Sequence, residues 1–475
     1  MFDYEDEEDD FYYDEERALT NAQRFEKMLE NNENYFFDVE DFEALIDYYV
    51  ERNNLKQALL VIDYASAQHP ASTIFLLRKA QLFANSNKPQ KALEILGILE
   101  NIEPFNLEIY LTKGSIYSQL RQYNKAIDAY KKALDLSNND DELIDEIYLH
   151  LAFTHTNMGE HKKAITYLKK ALELNPENES ALYELAFCFD VIEDFEEAVN
   201  FYTQFLDKNP YSATAWFNLG VAYSKLALYE KAIEAYDFAI AIDESFSSAY
   251  VNKGNAYAML EKYDEAIETY IETFNYEDPD GYVFYCIGEC YEKKEEYEKA
   301  LVYFNKAIKV DEFLSDAWVG IGVALEYLNR SIEAIPFVKK GIELDENNAD
   351  YWYIYADILK QAGYIEEAQL AYQKVSELNP DDKDIWIDFA AIYYENNDLN
   401  TAFEILDEGL KHQPENDLIY YYFAAYLFSA GLFFEAEQKL SKALLLNSGN
   451  LNYFFEIVPH AINNISIREL IESYK

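Results

Sequence analysis

The sequence is poor in cysteine and in positive charge. The 475 residues include three cysteines, and 39 basic residues stand against 89 acidic ones. Three cysteines do not make a disulfide framework in so long a chain, so we expect a reducing, cytoplasmic location. The formal net charge of −50 repels phosphate backbones and anionic lipid, so nucleic acid and membrane surfaces are not expected as partners. The negative charge is compatible with basic or neutral partners, and it also favours a soluble monomer.

Long apolar runs are missing as well. The uncharged stretch LIYYYFAAYLFSAGLFF, residues 418–434, is shorter than the ~20 residues that cross a bilayer, and an Ala-Gly turn interrupts it. The N-terminus is acidic and has no apolar h-region, so no secretory signal peptide is expected. Half of the residues are nevertheless apolar and 16% are aromatic, which supplies ample material for a core and makes wholesale disorder unexpected.

What the sequence does contain is a repeat of 34 residues. The segment AWFNLGVAYSKLALYEKAIEAYDFAIAIDES is matched thirty-four residues later by AYVNKGNAYAMLEKYDEAIETYIETFNYEDP. With Val39 as position 1, position 20 is alanine in all twelve blocks, position 8 is Gly or Ala in eleven, and position 4 is always large and apolar. The blocks start at residues 39, 73, 107, 145, 179, 213, 247, 281, 315, 349, 383 and 417. The spacing slips once, by four residues, at Asp141–Ile144.

The spacing within each block predicts two packed helices. Apolar residues at positions 4, 7, 8 and 11 form one helical stripe, and those at 17, 20, 24 and 27 form another. Small residues at 8 and 20 let the two helices approach closely, and six of the ten prolines stand at position 32, where they end the second helix. One pair cannot bury its own faces, so neighbouring pairs must stack. The slip predicts that the first helix of block 4 is longer by about one turn.

This pattern resembles the tetratricopeptide repeat family. Its W-x-x-L-G-x-x-Y…A…F…A…P motif is carried by Trp216, Leu219, Gly220, Tyr223, Ala232, Tyr236 and Ala239, with Glu244 in place of the proline. The resemblance covers residues 39–450 and implies an all-α fold, a right-handed α-solenoid superhelix of twelve helix-turn-helix repeats. It also implies that first helices line a concave groove, that second helices lie outside, and that the chain is a non-enzymatic scaffold for peptides and proteins.

Outside the repeats we expect a tail and two caps. Residues 1–16 contain ten acids, five aromatics and no basic residue, which predicts a disordered tail. Residues 17–38 are predicted to form a capping helix and loop, with Ala18, Ala22, Phe25 and Leu29 on one helical face. Residues 451–475 are predicted to form C-terminal capping helices, the last opened by a capping box at Ser466–Glu469. They would seal the uncharged stretch 418–434, for which a dimer contact is the alternative.

Motifs for catalysis are absent from the sequence. It contains no P-loop, H-E-x-x-H or G-x-S-x-G element, and we expect neither an enzyme nor a cofactor. His150, His155 and His161 are spaced by five and six residues, which does not place three ligands on one helical face. Cys286 and Cys290 are one turn apart and could share a metal, but Cys290 occupies a position that alanine fills in other blocks. Core thiols are therefore the preferred interpretation.

The resemblance also indicates where a partner would bind. By family analogy, positions 2, 5, 9, 12 and 13 of each first helix face the groove, with position 6 close by. At the first five positions the formal charge is −4 in block 1, −2 over blocks 2–7 and −6 over blocks 8–11. The nearly neutral middle holds the candidate peptide site, with apolar side chains and a short ladder of amides that suit a peptide backbone. The candidates are Leu149, Phe153, Tyr183, Phe187, Phe217, Asn218, Val221, Asn252 and Asn255.

The predicted function is a scaffold that binds an extended apolar or basic peptide of another protein. Position 5 is never basic, and Lys225 is the single basic groove residue in blocks 1–7, so an acidic peptide end is not the expected ligand. The alternative is a structural element that assembles on itself or on a larger complex through its terminal repeats. A monomer is expected, with a dimer through the C-terminal repeat as the alternative.

Overall fold

The computed structural model describes residues 5–137 and 140–474, with side chains from Arg17 onward. Helices, and no strands, make up the regular structure of these residues, which confirms the all-α prediction. The chain divides into unit 1, Met1–Ala227, and unit 2, Leu228–Lys475.

Unit 1 is built from helices joined by short turns, and consecutive helices pack on one another. They are α1 (Glu5–Asn31), α2 (Val39–Glu51), α3 (Leu55–Gln68), α4 (Ile74–Asn85), α5 (Pro89–Ile102), α6 (Leu107–Gln119), α7 (Tyr123–Leu136), α8 (Asp141–Asn157), α9 (His161–Leu174), α10 (Glu179–Ile192), α11 (Phe195–Leu206) and α12 (Ala213–Lys225).

Unit 2 continues the same alternation. Its helices are α13 (Tyr229–Ile242), α14 (Ser247–Met259), α15 (Tyr263–Glu272), α16 (Gly281–Lys293), α17 (Tyr297–Val310), α18 (Ser315–Tyr327), α19 (Ser331–Leu344), α20 (Ala349–Gln361), α21 (Ile365–Leu378), α22 (Ile385–Glu395), α23 (Leu399–His412), α24 (Asp417–Ser429), α25 (Phe433–Asn447), α26 (Leu451–Ile457) and α27 (Ile465–Glu472). From α13 to α25 each helix packs on the next.

The predicted blocks coincide with helix pairs. Each predicted block start lies within four residues of a helix start, and the two helices of a block meet at position 20, whose alanines are at most 2% exposed from Ala58 to Ala436. The approach is equally close at position 8, because a Cβ added to Gly254 would lie 2.5 Å from the Tyr270 ring. The chain is therefore a solenoid of helix pairs, and the number twelve stays a prediction.

The turn inside each block has a shared backbone conformation. Position 15 has a positive φ in every predicted block, and glycine occupies it in only three of them. These residues are Asn53, Asn87, Arg121, Gly159, Glu193, Ala227, Glu261, Glu295, Asn329, Gly363, Asn397 and Gly431. The left-handed residue ends the first helix and lets the second one start two residues later.

Position 4 ties several blocks to the turn before them. The indole N–H groups of Trp216, Trp318, Trp352 and Trp386 each donate to a backbone carbonyl six residues earlier, over 2.8–2.9 Å. The Tyr110 hydroxyl donates to the Pro104 carbonyl in the same way, at 2.9 Å. These carbonyls belong to position 32, in the turn before the block. The ring of the aromatic side chain packs in the protein, and its polar tip donates a hydrogen bond to a carbonyl of that turn.

The four-residue slip lengthens a helix, as predicted. Helix α8 has 17 residues, while α6 and α12 have 13 each. Ile147 and Leu151 are buried on the predicted face, with Leu143 and Ile144 half-buried beside them.

The N-terminal cap forms, but its helix starts earlier than predicted. Ala22, Phe25 and Met28 of α1 are buried against α2 and α3, with Leu29 half-buried. The backbone is helical from Glu5, where the prediction was disorder up to residue 16; residues 1–4 lie outside the described residues.

The C-terminal helices cover part of the uncharged stretch. Tyr421, Phe423 and Phe428 of α24 are buried, and Phe428 packs edge-on against Phe454 of α26 at 6.0 Å. The prediction of a capping box at Ser466–Glu469 is wrong. Helix α27 begins at Ile465, because the side chain of Asn464 accepts a hydrogen bond from Ile467 N and caps the helix two residues before Ser466. Helices in this part of unit 2 thus seal the last repeat.

Candidate peptide-binding surface

The clearest candidate surface lies on α10 in unit 1. Tyr183 and Phe187 are each 51% exposed, and Val191 is 47% exposed. Their spacing of four residues places them on one face of the helix, and we call these three residues the α10 stripe. Val191 was missed because its groove position was not combined with the apolar residues one and two turns before it.

Helices on both sides extend this surface. α8 and α12 contact α10, and each carries two of the predicted apolar residues. Leu149 and Phe153 on α8 and Phe217 and Val221 on α12 are half-buried. Three first helices of unit 1 therefore contribute apolar side chains, of which those of the α10 stripe are the most exposed.

The predicted amides are engaged within the protein. Asn218 is 4% exposed and donates from Nδ2 to the Leu182 carbonyl at 3.3 Å, so its expected place facing a peptide is corrected. Within unit 2, Asn252 Nδ2 donates to the Ser248 carbonyl of its own helix at 2.9 Å, and Asn255 Oδ1 accepts from the Tyr270 hydroxyl at 2.6 Å. These amides link neighbouring backbone and side chains instead of forming an open ladder.

Two polar atoms beside the α10 stripe are buried without a hydrogen bond. Among the described residues, none bonds Glu184 Oε1 or His161 Nδ1. Glu184 precedes Phe187 by three residues on α10, and the His161 ring lies edge-on to the Phe187 ring at 6.1 Å. A buried carboxylate oxygen without a donor is costly, and a ligand that donates a hydrogen bond or carries a positive charge would compensate it.

The positive charge near this surface is already paired. Lys225 Nζ on α12 lies 2.8 Å from Asp190 Oδ1 on α10. An acidic peptide would have to displace Asp190, which agrees with the expectation that acidic peptide ends are poor ligands.

Models of the tetratricopeptide repeat match seven segments along the chain. They cover residues 105–177, 180–212, 213–246, 247–272, 281–313, 315–348 and 359–425. The segments from residue 180 to residue 348 begin within one residue of a predicted block start. The chain is a tetratricopeptide repeat protein. Such repeats are protein–protein interaction modules typically found in non-enzymatic scaffolds, and this tetratricopeptide repeat protein is an interaction scaffold.

A chain in the crystal structure of the APC/C hetero-tetramer Cut9-Hcn1 is 15% identical, with 89% of this chain and 93% of that chain covered and a TM-score of 0.41. No curated protein sequence matches this tetratricopeptide repeat protein.

His155 and the three cysteines of this tetratricopeptide repeat protein lie in the core. His155 is 5% exposed, stacks on Tyr167 and has Nδ1 2.7 Å from Glu160 Oε2. The three cysteines are buried, and burial raises the pKa of both the Cys286 and the Cys290 thiol to about 12. Among the described residues, no three His, Cys, Asp or Glu side chains are grouped to hold a metal ion, and no helix is long and apolar enough to span a membrane.

Proposed function

We propose that this scaffold holds an extended segment of a partner protein against the α10 stripe of unit 1. The carrying observation is the exposure of Tyr183, Phe187 and Val191 on one helical face. Exposed apolar patches bordered by polar groups mark interaction sites on soluble proteins. The segment would place apolar side chains on the stripe.

The proposal includes a basic residue in that segment. Its support is the carboxylate oxygen of Glu184, which has no donor among the described residues and lies one turn from Phe187. A lysine or arginine that reaches Glu184 would pair a buried charge, while the apolar neighbours of that residue cover the stripe.

The test is a crosslinking pull-down from native lysate with the full chain as bait. A Tyr183→Ser, Phe187→Ser double variant should lose the captured partner, because two exposed apolar contacts are removed. Phe105→Ser is the matched control, since Phe105 is an 81% exposed aromatic outside this surface. Equal capture by the double variant and by the parent protein would rule the surface out.

A second candidate function, assembly through the C-terminal end, is favoured by one observation. In the C-terminal part of unit 2, the side chains of Phe433, Phe434, Ile462 and Ile465 are 48–69% exposed, and the Phe433 ring lies 4.9 Å from that of the buried Phe428. Sedimentation over a hundredfold range of concentration tests it. A shift from monomer to dimer that Phe434→Ser abolishes would support assembly, and a constant monomer would contradict it.

A further inference from the structure

A separate cleft of about 460 Å³ opens in unit 2 between α14, α15 and α16. Its floor contains Tyr270, Cys286 and Cys290, which are at most 4% exposed. Met259 and Tyr282, 62% and 46% exposed, stand at its mouth. The size is sufficient for one long side chain.

The cleft is lined by polar groups that include a carboxylate. Asn255 Oδ1 accepts from the Tyr270 hydroxyl at 2.6 Å and so fixes the amide at the wall. Glu289, half-buried on α16, also lines the cleft, and its carboxylate is hydrogen-bonded by the Tyr285 hydroxyl. Burial raises the pKa of Glu289, because its charge has lost part of its water.

The charge of the cleft is not balanced by a close ion pair. Glu261 and Glu289 line it against one lysine, Lys293. Within residues 17–137 and 140–474, no lysine or arginine nitrogen lies within 4 Å of the Glu289 carboxylate. A cation that enters the cleft would therefore gain a partly desolvated carboxylate as its partner.

We propose that this cleft binds the side chain of an arginine in a partner protein. A guanidinium group is planar and weakly hydrated, pairs with carboxylates through two N–H groups and packs well against aromatic rings. Tyrosine rings and polarisable thiols therefore suit it better than they suit an ammonium group, which would lose a more tightly held hydration shell. The proposal rests on the scaffold function of the chain and is independent of the α10 stripe in unit 1.

The experiment uses the full chain and short peptides in saturation-transfer NMR. The probes are acetyl-Gly-Gly-Arg-Gly-Gly-amide and the same peptide with citrulline, which keeps the shape without the charge, or with lysine. We expect the arginine peptide to bind with roughly millimolar affinity, as a small ligand does, and at least about fivefold more tightly than either other peptide. Equal affinity for citrulline or for lysine would overturn the proposal.

Variants locate the binding. Glu289→Gln should reduce affinity for the arginine peptide to that of the citrulline peptide, while Glu268→Gln, an exposed carboxylate on α15 outside the cleft lining, should not change it. Met259→Lys places a competing cation at the exposed mouth and gives the same loss without altering a buried residue. Unchanged affinity in Glu289→Gln and Met259→Lys would overturn the proposal. The Tyr183→Ser, Phe187→Ser variant should bind the arginine peptide normally, so the two proposals can fail separately.

Discussion

At the scale of single residues, the side chain at position 4 has two roles, of which the sequence pattern indicates only the first. The period reveals that a large side chain stands there, and burial of its ring explains the size. The hydrogen bond from Trp318, Trp352 or Tyr110 to the preceding turn depends on the polar tip of the ring. Phe42 and Leu76 fill the same position without such a donor, so the bond is an addition to the fold and not a requirement of it.

Tyr110→Phe tests the worth of this bond, because it removes one hydroxyl and no ring atom. Tyr110 is 2% exposed, and the variant leaves the Pro104 carbonyl without this donor. We expect a loss of about 1 kcal/mol in the free energy of unfolding of the surrounding repeats, measured by hydrogen exchange of α6 and α7. Tyr211→Phe is the control, since Tyr211 is 85% exposed. A loss as large in the control would show that the bond itself contributes nothing.

At the scale of the helix pair, the left-handed residue at position 15 is the most regular feature of the turn. Its identity varies among asparagine, glycine, arginine, glutamate and alanine. Asparagine and glycine tolerate this conformation, whereas the other three residues pay a steric cost. The repeat therefore keeps the turn geometry even where the side chain opposes it.

Ala227→Gly should stabilise the protein by about 1 kcal/mol, because Ala227 has φ of 57° and glycine adopts this angle without a Cβ clash. Gly363→Ala is the reciprocal change at φ of 84° and should destabilise by a similar amount. Local unfolding free energies from hydrogen exchange of the flanking helices measure both. Two changes of the same sign would contradict the argument.

The helix pairs also show which features of the fold can be predicted from the sequence. Strict spacing of alanine at position 20 predicts which residues meet, so the helix bounds and the longer α8 could be predicted from pattern alone. The positive φ at position 15 could not, because Arg121 and Glu193 carry no signal for it. At the candidate site, groove positions predict that Tyr183 and Phe187 lie outside the core. The bond from Asn218 to the Leu182 carbonyl depends on the distance between neighbouring repeats, which a periodic pattern does not specify.

At the scale of the whole molecule, a net charge of −50 coexists with carboxylates that are partly buried. Burial raises the pKa of Glu326, Asp357 and Asp388 in unit 2. For Glu292 burial raises the pKa to about 7 from the ordinary 4.5. The folded protein holds the Glu292 proton more tightly than the unfolded chain, so this residue lowers stability as the pH rises from about 4.5 to about 7.

Glu292→Gln should therefore be more stable than the parent protein above pH 7, by roughly 1–3 kcal/mol, and close to it below pH 4.5. Urea titrations at several pH values measure the difference. Glu298→Gln makes the same charge change at an exposed site on α17 and reports the general effect of removing one negative charge. An advantage for Glu292→Gln that is equal at pH 4 and pH 8 would contradict the assigned pKa.

The three buried thiols can report local unfolding of the chain. Unit 1 contains Cys188, and unit 2 contains Cys286 and Cys290. A thiol reagent modifies each cysteine only while the helices around it are open, and opening in repeat proteins is local. The labelled peptides after digestion then distinguish the two units, since a label on Cys188 marks unit 1 and a label on Cys286 or Cys290 marks unit 2. Mass spectrometry can follow the order in which the units open without any engineered cysteine.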